Sequence, residues 1–315
     1  IEKSHAEARE KGIKSLLIYL RPVLANLGFL FQISGFFILP PVLYAFYINE
    51  SSAATALLLT AIAFFSLGFS LNAFCERKKL NLKQSCMLLL LFFTLGPLIN
   101  TIPYLYLKIF DGDFLEQLLN SFFESVSATT TTGLTLLKGM STPKSIILAR
   151  SINEWIGGIG ITFILLSFFY PSKSLFHYTK ALGIEQIAEN VKKSFVLVFA
   201  IYVIYTIIFS TALIFMGLDA FTSFHTTFTV FSTTGLTLIN VLKLSTSQIA
   251  IITLMMLFSA ISFSFHINLF RGKFKNIVSK ELIIYAIILL FFTLIFSRVT
   301  GYTPVSYTHL TLPTN

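Results

Sequence analysis

The feature that most constrains this chain is a series of uncharged segments, each long enough to cross a lipid bilayer. A transmembrane helix needs about 20 predominantly apolar residues to cross a hydrocarbon core of about 30 Å. Clear segments of this kind occupy 22–49, 51–75, 84–107, 194–218, 220–242 and 244–270, and weaker ones occupy 145–170 and 282–297. Of the 315 residues, 55% are hydrophobic and only 12% are charged, which excludes an ordinary soluble enzyme. The sequence therefore predicts an all-α integral membrane protein that contacts membrane lipid.

The basic residues predict the orientation of these segments. Seventeen of the 23 lysines and arginines fall on one side if 1–21, 76–83, 173–193 and 271–280 share a membrane face. Loops rich in lysine and arginine stay in the cytoplasm, so this side is predicted to be cytoplasmic and to hold the N-terminus. The net charge of +9 comes from basic residues that long uncharged runs interrupt, so we expect no nucleic acid partner.

This orientation requires two segments to enter the membrane and return on the same side. If 114–137 or 220–242 crossed fully, every later basic loop would move to the opposite face. Backbone that turns back at membrane depth is tolerated where it is buried in protein or lines a water-filled path. These two segments are therefore the predicted functional regions.

The two segments are copies of one another at an offset of 102 residues. Residues 121–137 read SFFESVSATTTTGLTLL, and residues 223–239 read SFHTTFTVFSTTGLTLI. Eight of the 17 positions are identical, including the string TTGLTL that begins at Thr131 and at Thr233. Each copy lies between two apolar spans, so the predicted unit is helix, half-helix, loop, helix.

This unit is typical of a pore loop. A half-helix of about 12 residues is roughly 18 Å long and ends within the membrane, where its dipole favours a cation. Backbone carbonyls and threonine hydroxyls of the following loop could replace the hydration shell of a monovalent ion, and glycine permits the required dihedrals. The predicted ion-binding residues are Thr130, Thr131, Thr132, Gly133, Leu134, Ser232, Thr233, Thr234, Gly235 and Leu236. The alternative is that these small residues only allow close helix packing.

Three charged residues lie within the apolar segments near the first copy. Arg150 and Glu154 are four residues apart, so we expect them to share a helix face and to form an ion pair that supports the loop. Ion sensing is the alternative for this pair. Glu124, where the second copy has Thr226, would either support the loop by hydrogen bonding or attract cations, and the sequence leaves this choice open.

The sequence gives little support for a metal, redox or catalytic site. Cys75 and Cys86 lack metal or redox spacing, and His177, His225 and His266 are scattered without a second ligand nearby. No catalytic triad, metalloprotease motif or phosphate-binding loop stands out, so we expect neither an enzyme nor an organic cofactor.

In combination, these motifs resemble the Trk/Ktr/HKT superfamily of potassium transporters, and within it the TrkH type of potassium-translocating subunit. The resemblance rests on the two TTGLT loops, the string RSINEWIGGIGI from Arg150 and two helices before the first copy, and it covers roughly 26–297. It implies tandem helix–pore-loop–helix repeats, each like a potassium-channel protomer, around one pore for K⁺. It also implies filter roles for Gly133 and Gly235, and a glycine in the first filter is associated with potassium selectivity. The implied partners are a second copy in a homodimer and a cytosolic nucleotide-binding regulatory subunit of the TrkA type, at the cytoplasmic (inner) membrane.

The chain departs from the four-unit pattern of this superfamily, because it contains two complete repeats and only part of a third. The expected organisation is a cytoplasmic N-terminal helix (1–21), two accessory transmembrane helices with a basic loop (22–83), the first repeat (84–172), a cytoplasmic linker (173–193), the second repeat (194–270), a linker with the first helix of a truncated third repeat (271–298), and a non-native tail (299–315). Besides potassium uptake, two readings stay open: an alternating-access transporter of a small solute and an inactive truncated fragment.

Overall fold

The computed structural model describes residues 2–78, 80–137, 142–168, 191–237, 243–261, 263–270, 272 and 280–300, and their regular secondary structure is helical. The helices are α1 (Glu2–Tyr47), α2 (Ser51–Phe74), α3 (Leu82–Ile99), α4 (Ile102–Tyr106), α5 (Phe114–Thr129), α6 (Lys144–Phe168), α7 (Val191–Phe215), α8 (Ala220–Phe231), α9 (Thr246–Ala260), α10 (Phe263–Phe270) and α11 (Lys280–Thr300). Most of the predicted linker 173–193, the linker residues 273–279 and the tail from 301 lie outside the described residues.

Four stretches of the described chain are long and apolar enough to cross a membrane. They are Tyr19–Tyr47, Ser51–Phe74, Lys83–Tyr106 and Val196–Phe215, and two shorter apolar helices lie at Thr246–Ala260 and Leu282–Arg298. The chain is therefore an all-α membrane protein, as the sequence predicted.

The helix boundaries differ from the predicted spans in three places. The predicted N-terminal helix and first span form one continuous helix, α1. The predicted span 84–107 is divided between α3 and α4, where Pro103 at the start of α4 has no N–H to donate to the preceding turn. The predicted span 244–270 is divided after Ala260, because Ile261 is extended with ψ 146°.

The chain forms two compact units, the first made of residues 1–129 and 136–152 and the second of 130–135 and 153–315. In the first unit, α1 and α2 form a tightly packed hairpin. A Cβ on Gly28 would lie 2.8 Å from the carbonyl oxygen of Gly68, so only glycine allows the two backbones to approach this closely. Phe31 and Phe64 meet edge to face in the same interface, with ring centroids 5.7 Å apart.

The turn between α1 and α2 also contacts the start of α6. The Glu50 carboxylate accepts hydrogen bonds from the backbone N–H groups of Lys144 and Ser145, at 2.9 and 3.0 Å. The first N–H groups of a helix have no partner within it, and a carboxylate there also opposes the positive end of the helix dipole. Glu50 therefore stabilises the N-terminal end of α6 within the first unit.

In the second unit, α7 packs against α8 and α9 through large apolar side chains. Ile201, Leu213 and Met255 are buried in this core. The Trp155 ring meets Tyr202 and Phe228 edge to face, with centroids 6.0 and 5.9 Å apart. An aromatic core of this kind holds α8 in place and positions the residues that follow it.

Candidate functional site

Two short helices, α5 and α8, carry the repeated sequence, and each begins at an aspartate. The Asp113 side chain accepts from Glu116 N at 2.8 Å, and the Asp219 side chain accepts from Thr222 N at 3.0 Å. The helices have 16 and 12 residues, so at 1.5 Å per residue they are roughly 24 and 18 Å long and shorter than a hydrocarbon core of about 30 Å. Both helices thus end where the repeated TTGLT string begins.

The backbone of the two loops repeats along with their sequence. We call residues 130–135 the first loop and residues 232–237 the second loop. Thr131 and Thr233 have φ of 54° and 63°, and Gly133 and Gly235 have φ of 81° and 78°. Each pair is related by the sequence offset of 102 residues, so the same left-handed conformation recurs at matching positions.

A threonine with positive φ is strained, since its branched Cβ crowds the backbone. Around Thr233 this conformation is fixed by two hydrogen bonds that end α8, from Thr233 N to Val230 O and from Thr234 N to Thr229 O, both at 3.0 Å. Such strain costs on the order of 1–3 kcal/mol and occurs preferentially at functional sites. The surrounding contacts therefore hold the loops in a strained backbone conformation that an ordinary connecting loop would not adopt.

The side chains of the two loops also repeat one contact. The Thr130 and Thr132 hydroxyls lie 2.7 Å apart, and the Ser232 and Thr234 hydroxyls lie 2.8 Å apart at the matching positions. Each loop therefore presents paired hydroxyl groups beside its carbonyls, and these are uncharged oxygens of the kind that replace ion hydration.

The backbones of the two loops approach each other closely within the second unit. A Cβ on Gly133 would collide with the carbonyl oxygen of Thr234. Glycine is required at this position for two independent reasons, its positive φ and the absence of space for a side chain. The arrangement brings the Thr234 carbonyl oxygen of the second loop against the backbone of the first loop at Gly133.

In the first repeat, a buried ion pair lies immediately beyond the loop. Glu124 on α5 is 0% exposed, and one of its carboxylate oxygens accepts from Arg150 Nη1 at 2.9 Å. The other oxygen accepts from Leu136 N, also at 2.9 Å. The carboxylate thereby links α5, the backbone after the loop and α6, while Arg150 neutralises its charge.

This contact bears on two expectations from the sequence. The spacing predicted a pair between Arg150 and Glu154, and this stays a prediction. The structure records a pair between Arg150 and Glu124, which are 26 residues apart. Glu154 is also fully buried. Of the two roles considered for Glu124, the hydrogen bond to Leu136 N favours support of the loop over attraction of cations.

The second loop has different surroundings. Thr226, the counterpart of Glu124, is fully buried, and its hydroxyl has no hydrogen-bond partner among the described residues. Gly158 on α6 faces this loop, because a Cβ there would lie 3.2 Å from Ser232 Cβ. Among the described residues, nothing lies within 4 Å of a Cβ on Gly160, in the same Gly-rich string.

A cavity of about 170 Å³ lies within the second unit and touches both loops. Its wall includes Thr131, Ser232 and Thr233 from the loops, and Tyr202 and His266 from α7 and α10. Sequence reasoning identified the loop residues but gave no role to Tyr202 or His266, and no periodic signal joins them to the repeated string.

Comparison with known proteins supplies relatives for this chain. No protein-family model matches it. An uncharacterized cation transporter of Methanocaldococcus jannaschii is 31% identical over 288 residues, which is 90% of this chain and 59% of that protein. The Trk system potassium uptake protein TrkH of Escherichia coli is 25% identical over 264 residues, covering 79% of this chain and 53% of TrkH. The chain thus spans little more than half the length of these relatives.

A solved structure shows the same fold. The crystal structure of the potassium transporter TrkH from Vibrio parahaemolyticus matches 93% of this chain and 63% of its own chain, with a TM-score of 0.77 and 20% sequence identity. The chain accordingly resembles the Trk family of potassium transporters, TrkH in particular, and it has the membrane fold of TrkH.

Proposed function

We propose that this chain takes up potassium ions across the cytoplasmic membrane through a channel-like pore whose filter is made of backbone carbonyl oxygens. The observation that carries the proposal is the recurrence of one strained backbone conformation at Thr131 and Gly133 and again at Thr233 and Gly235. The potassium uptake activity named for the TrkH relatives supports the choice of ion.

Neutral oxygens suit a monovalent cation. A divalent ion is usually held by carboxylates, and the loops contribute hydroxyls and carbonyls instead. In the proposed filter, residues Thr130 to Leu134 and Ser232 to Leu236 face the ion, which is the transported substrate. The inside-negative membrane potential drives uptake, at about 2.3 kcal/mol per charge for each 100 mV.

The residues around the loops have supporting roles in this proposal. Glu124 holds the backbone after the first loop by its bond to Leu136 N, and Arg150 balances the buried carboxylate. We infer a supporting role also for Glu154, which is fully buried one helical turn further along α6. None of these side chains contacts the ion.

The topology and partners are also part of the proposal. The distribution of lysine and arginine supports a cytoplasmic N-terminus. The resemblance to TrkH suggests a homodimer that works with a cytosolic nucleotide-binding regulatory subunit. The chain spans little more than half the length of its relatives, so the experiment includes the longest natural reading frame that contains this chain.

Growth at limiting potassium tests the proposal. A bacterium without potassium uptake systems would express this chain, the longer reading frame, and the longer frame carrying Gly133→Asp or Gly160→Ala. Rescue by the longer frame, lost with Gly133→Asp and kept with Gly160→Ala, would support the proposed function. Failure of every form despite confirmed membrane insertion would contradict it and favour a carrier for another solute or an inactive protein.

A further inference from the structure

A buried histidine lies just after the break between α9 and α10, beside the cavity that touches both loops. His266 is 3% exposed, and its Nε2 lies 3.0 Å from the carbonyl oxygen of Phe258, in the last turns of α9. Its Nδ1 lies 2.9 Å from the Tyr205 hydroxyl on α7. His266 therefore connects α7 to both sides of the helix break.

The hydrogen-bond partners of His266 define which nitrogen of its neutral imidazole carries the hydrogen. A carbonyl oxygen can only accept, so Nε2 carries the hydrogen that it donates to Phe258 O. In the neutral ring Nδ1 then has a free lone pair, which accepts a hydrogen bond from the Tyr205 hydroxyl. Both ring nitrogens therefore form hydrogen bonds in a single orientation of the ring, and the Tyr205 hydroxyl donates to Nδ1.

Tyr205 in turn contacts the residue that precedes the second loop. Its ring lies 5.4 Å from the ring of Phe231, centroid to centroid, and Phe231 is the last residue of α8 before Ser232. The Tyr202 ring contacts the same phenylalanine at 4.8 Å. A continuous path of contacts therefore runs from His266 through Tyr205 to the point where the second loop begins.

Apolar packing alone would not require this polar pair. Burying a hydroxyl and an imidazole is unfavourable unless they form a hydrogen bond with each other. The hydrogen bond therefore restricts Tyr205 to one position, whereas a phenylalanine in its place would be free to shift or rotate. That restriction is passed to Phe231 by direct ring contact.

We propose that Tyr205 and His266 are positioning residues for the second loop, and that their hydrogen bond sets how strongly the loop prefers K⁺ over Na⁺. This proposal rests on the potassium-uptake function proposed above. In the first repeat a carboxylate bonded to backbone supports the loop directly, whereas here the support acts through an aromatic ring.

The test measures ion preference and not only the rate of transport. Tracer uptake of K⁺ and of Na⁺ would be compared in cells that express the longest reading frame containing this chain, as wild type, Tyr205→Phe, His266→Leu or the double variant. Tyr285→Phe is the matched control, because it removes a tyrosine hydroxyl from another apolar helix, α11. His266→Asn is the conservative variant, since its amide oxygen retains an acceptor near the Nδ1 position.

We expect each single variant to lower the K⁺ to Na⁺ uptake ratio by about fivefold, as loss of one hydrogen bond would. The double variant should also lower it by about fivefold and not about 25-fold, because both changes remove the same interaction. His266→Asn should lie closer to wild type than His266→Leu, and Tyr285→Phe should match wild type.

Three outcomes would overturn the inference. The first is an unchanged ratio in Tyr205→Phe, whether or not its rate falls, and the second is a multiplicative effect in the double variant. The third is failure of Tyr205→Phe to accumulate in the membrane, which would assign the pair to folding. If the wild type prefers K⁺ and the variants keep the same K⁺ to Na⁺ ratio, only this inference is overturned. If the wild type shows no K⁺ uptake, both the proposed function and this inference are overturned.

Discussion

The two repeats hold nearly identical loops by different physical means. In the first repeat, the buried Glu124 carboxylate bonds the backbone after the loop and pairs with Arg150. In the second repeat, the matching position is Thr226, and aromatic rings around Phe231 pack against the end of α8 instead. The comparison teaches that the backbone conformation of the loop is the shared requirement. The surrounding contacts can be a buried ion pair in one copy and aromatic packing in the other.

The largest effect is expected from breaking the ion pair. Glu124→Ala leaves the Arg150 guanidinium buried without this partner, which typically costs about 3–5 kcal/mol. We expect a strong loss of folded protein in the membrane, with the double variant Glu124→Ala/Arg150→Met less affected than Glu124→Ala. Thermal unfolding of detergent-purified protein measures this, and a Glu124→Ala protein as stable as wild type would contradict the electrostatic account of the first repeat.

A change within the loop should be nearly as severe. Gly133→Ala places a Cβ against the Thr234 carbonyl oxygen and forces an L side chain to φ 81°, which together cost about 2–4 kcal/mol at the loop. Potassium uptake should fall at least tenfold while membrane insertion persists. Gly160→Ala is the control, because no described residue lies within 4 Å of a Cβ there. Equal uptake by the two variants would refute a functional role for the close approach of the loops.

A smaller effect is expected where α6 faces the second loop. Gly158→Ala puts a Cβ 3.2 Å from Ser232 Cβ and 3.3 Å from the Tyr202 hydroxyl, so these neighbours must move by a few tenths of an ångström. We expect about 1 kcal/mol of destabilisation and a change in ion preference larger than the change in expression. Parallel uptake assays of Gly158→Ala and Gly160→Ala would measure this change in ion preference. Identical behaviour of the two variants would show that Gly158 does not support the second loop.

The smallest effect is expected at the counterpart of Glu124. Thr226→Val keeps the shape of the side chain and removes a buried hydroxyl that lacks a hydrogen-bond partner among the described residues. The change should alter the free energy of unfolding by less than about 0.5 kcal/mol or raise it slightly. A large loss of stability, measured as for Glu124→Ala, would show that the second repeat also depends on a polar contact at this position.

The sequence was informative about the elements and the repeat, and uninformative about contacts between distant residues. Uncharged runs and the repeated TTGLTL string predicted the membrane helices and the short helices α5 and α8. Pro103 could have indicated the break between α3 and α4, because proline cannot continue the helical hydrogen bonds. The break after Ala260 carries no proline or glycine signal in the sequence.

The supporting contacts could not be predicted because they depend on how the chain folds back on itself. Helical spacing pairs residues four apart, so it directed Arg150 to Glu154 and gave no reason to consider Glu124 across the loop. Tyr205 and His266 are 61 residues apart on different helices, and neither stands out within its own segment. Only the packing of α7 against α10 brings them together.

The most direct test of the central claim is potassium uptake into proteoliposomes that contain the longest reading frame with this chain, under an imposed inside-negative potential. The account predicts saturable uptake of K⁺ that exceeds that of Na⁺, survives Gly160→Ala and is lost with Gly133→Ala. Uptake that Gly133→Ala leaves unchanged, or an equal flux of K⁺ and Na⁺ in the wild type, would contradict the claim that the paired loops form a potassium filter.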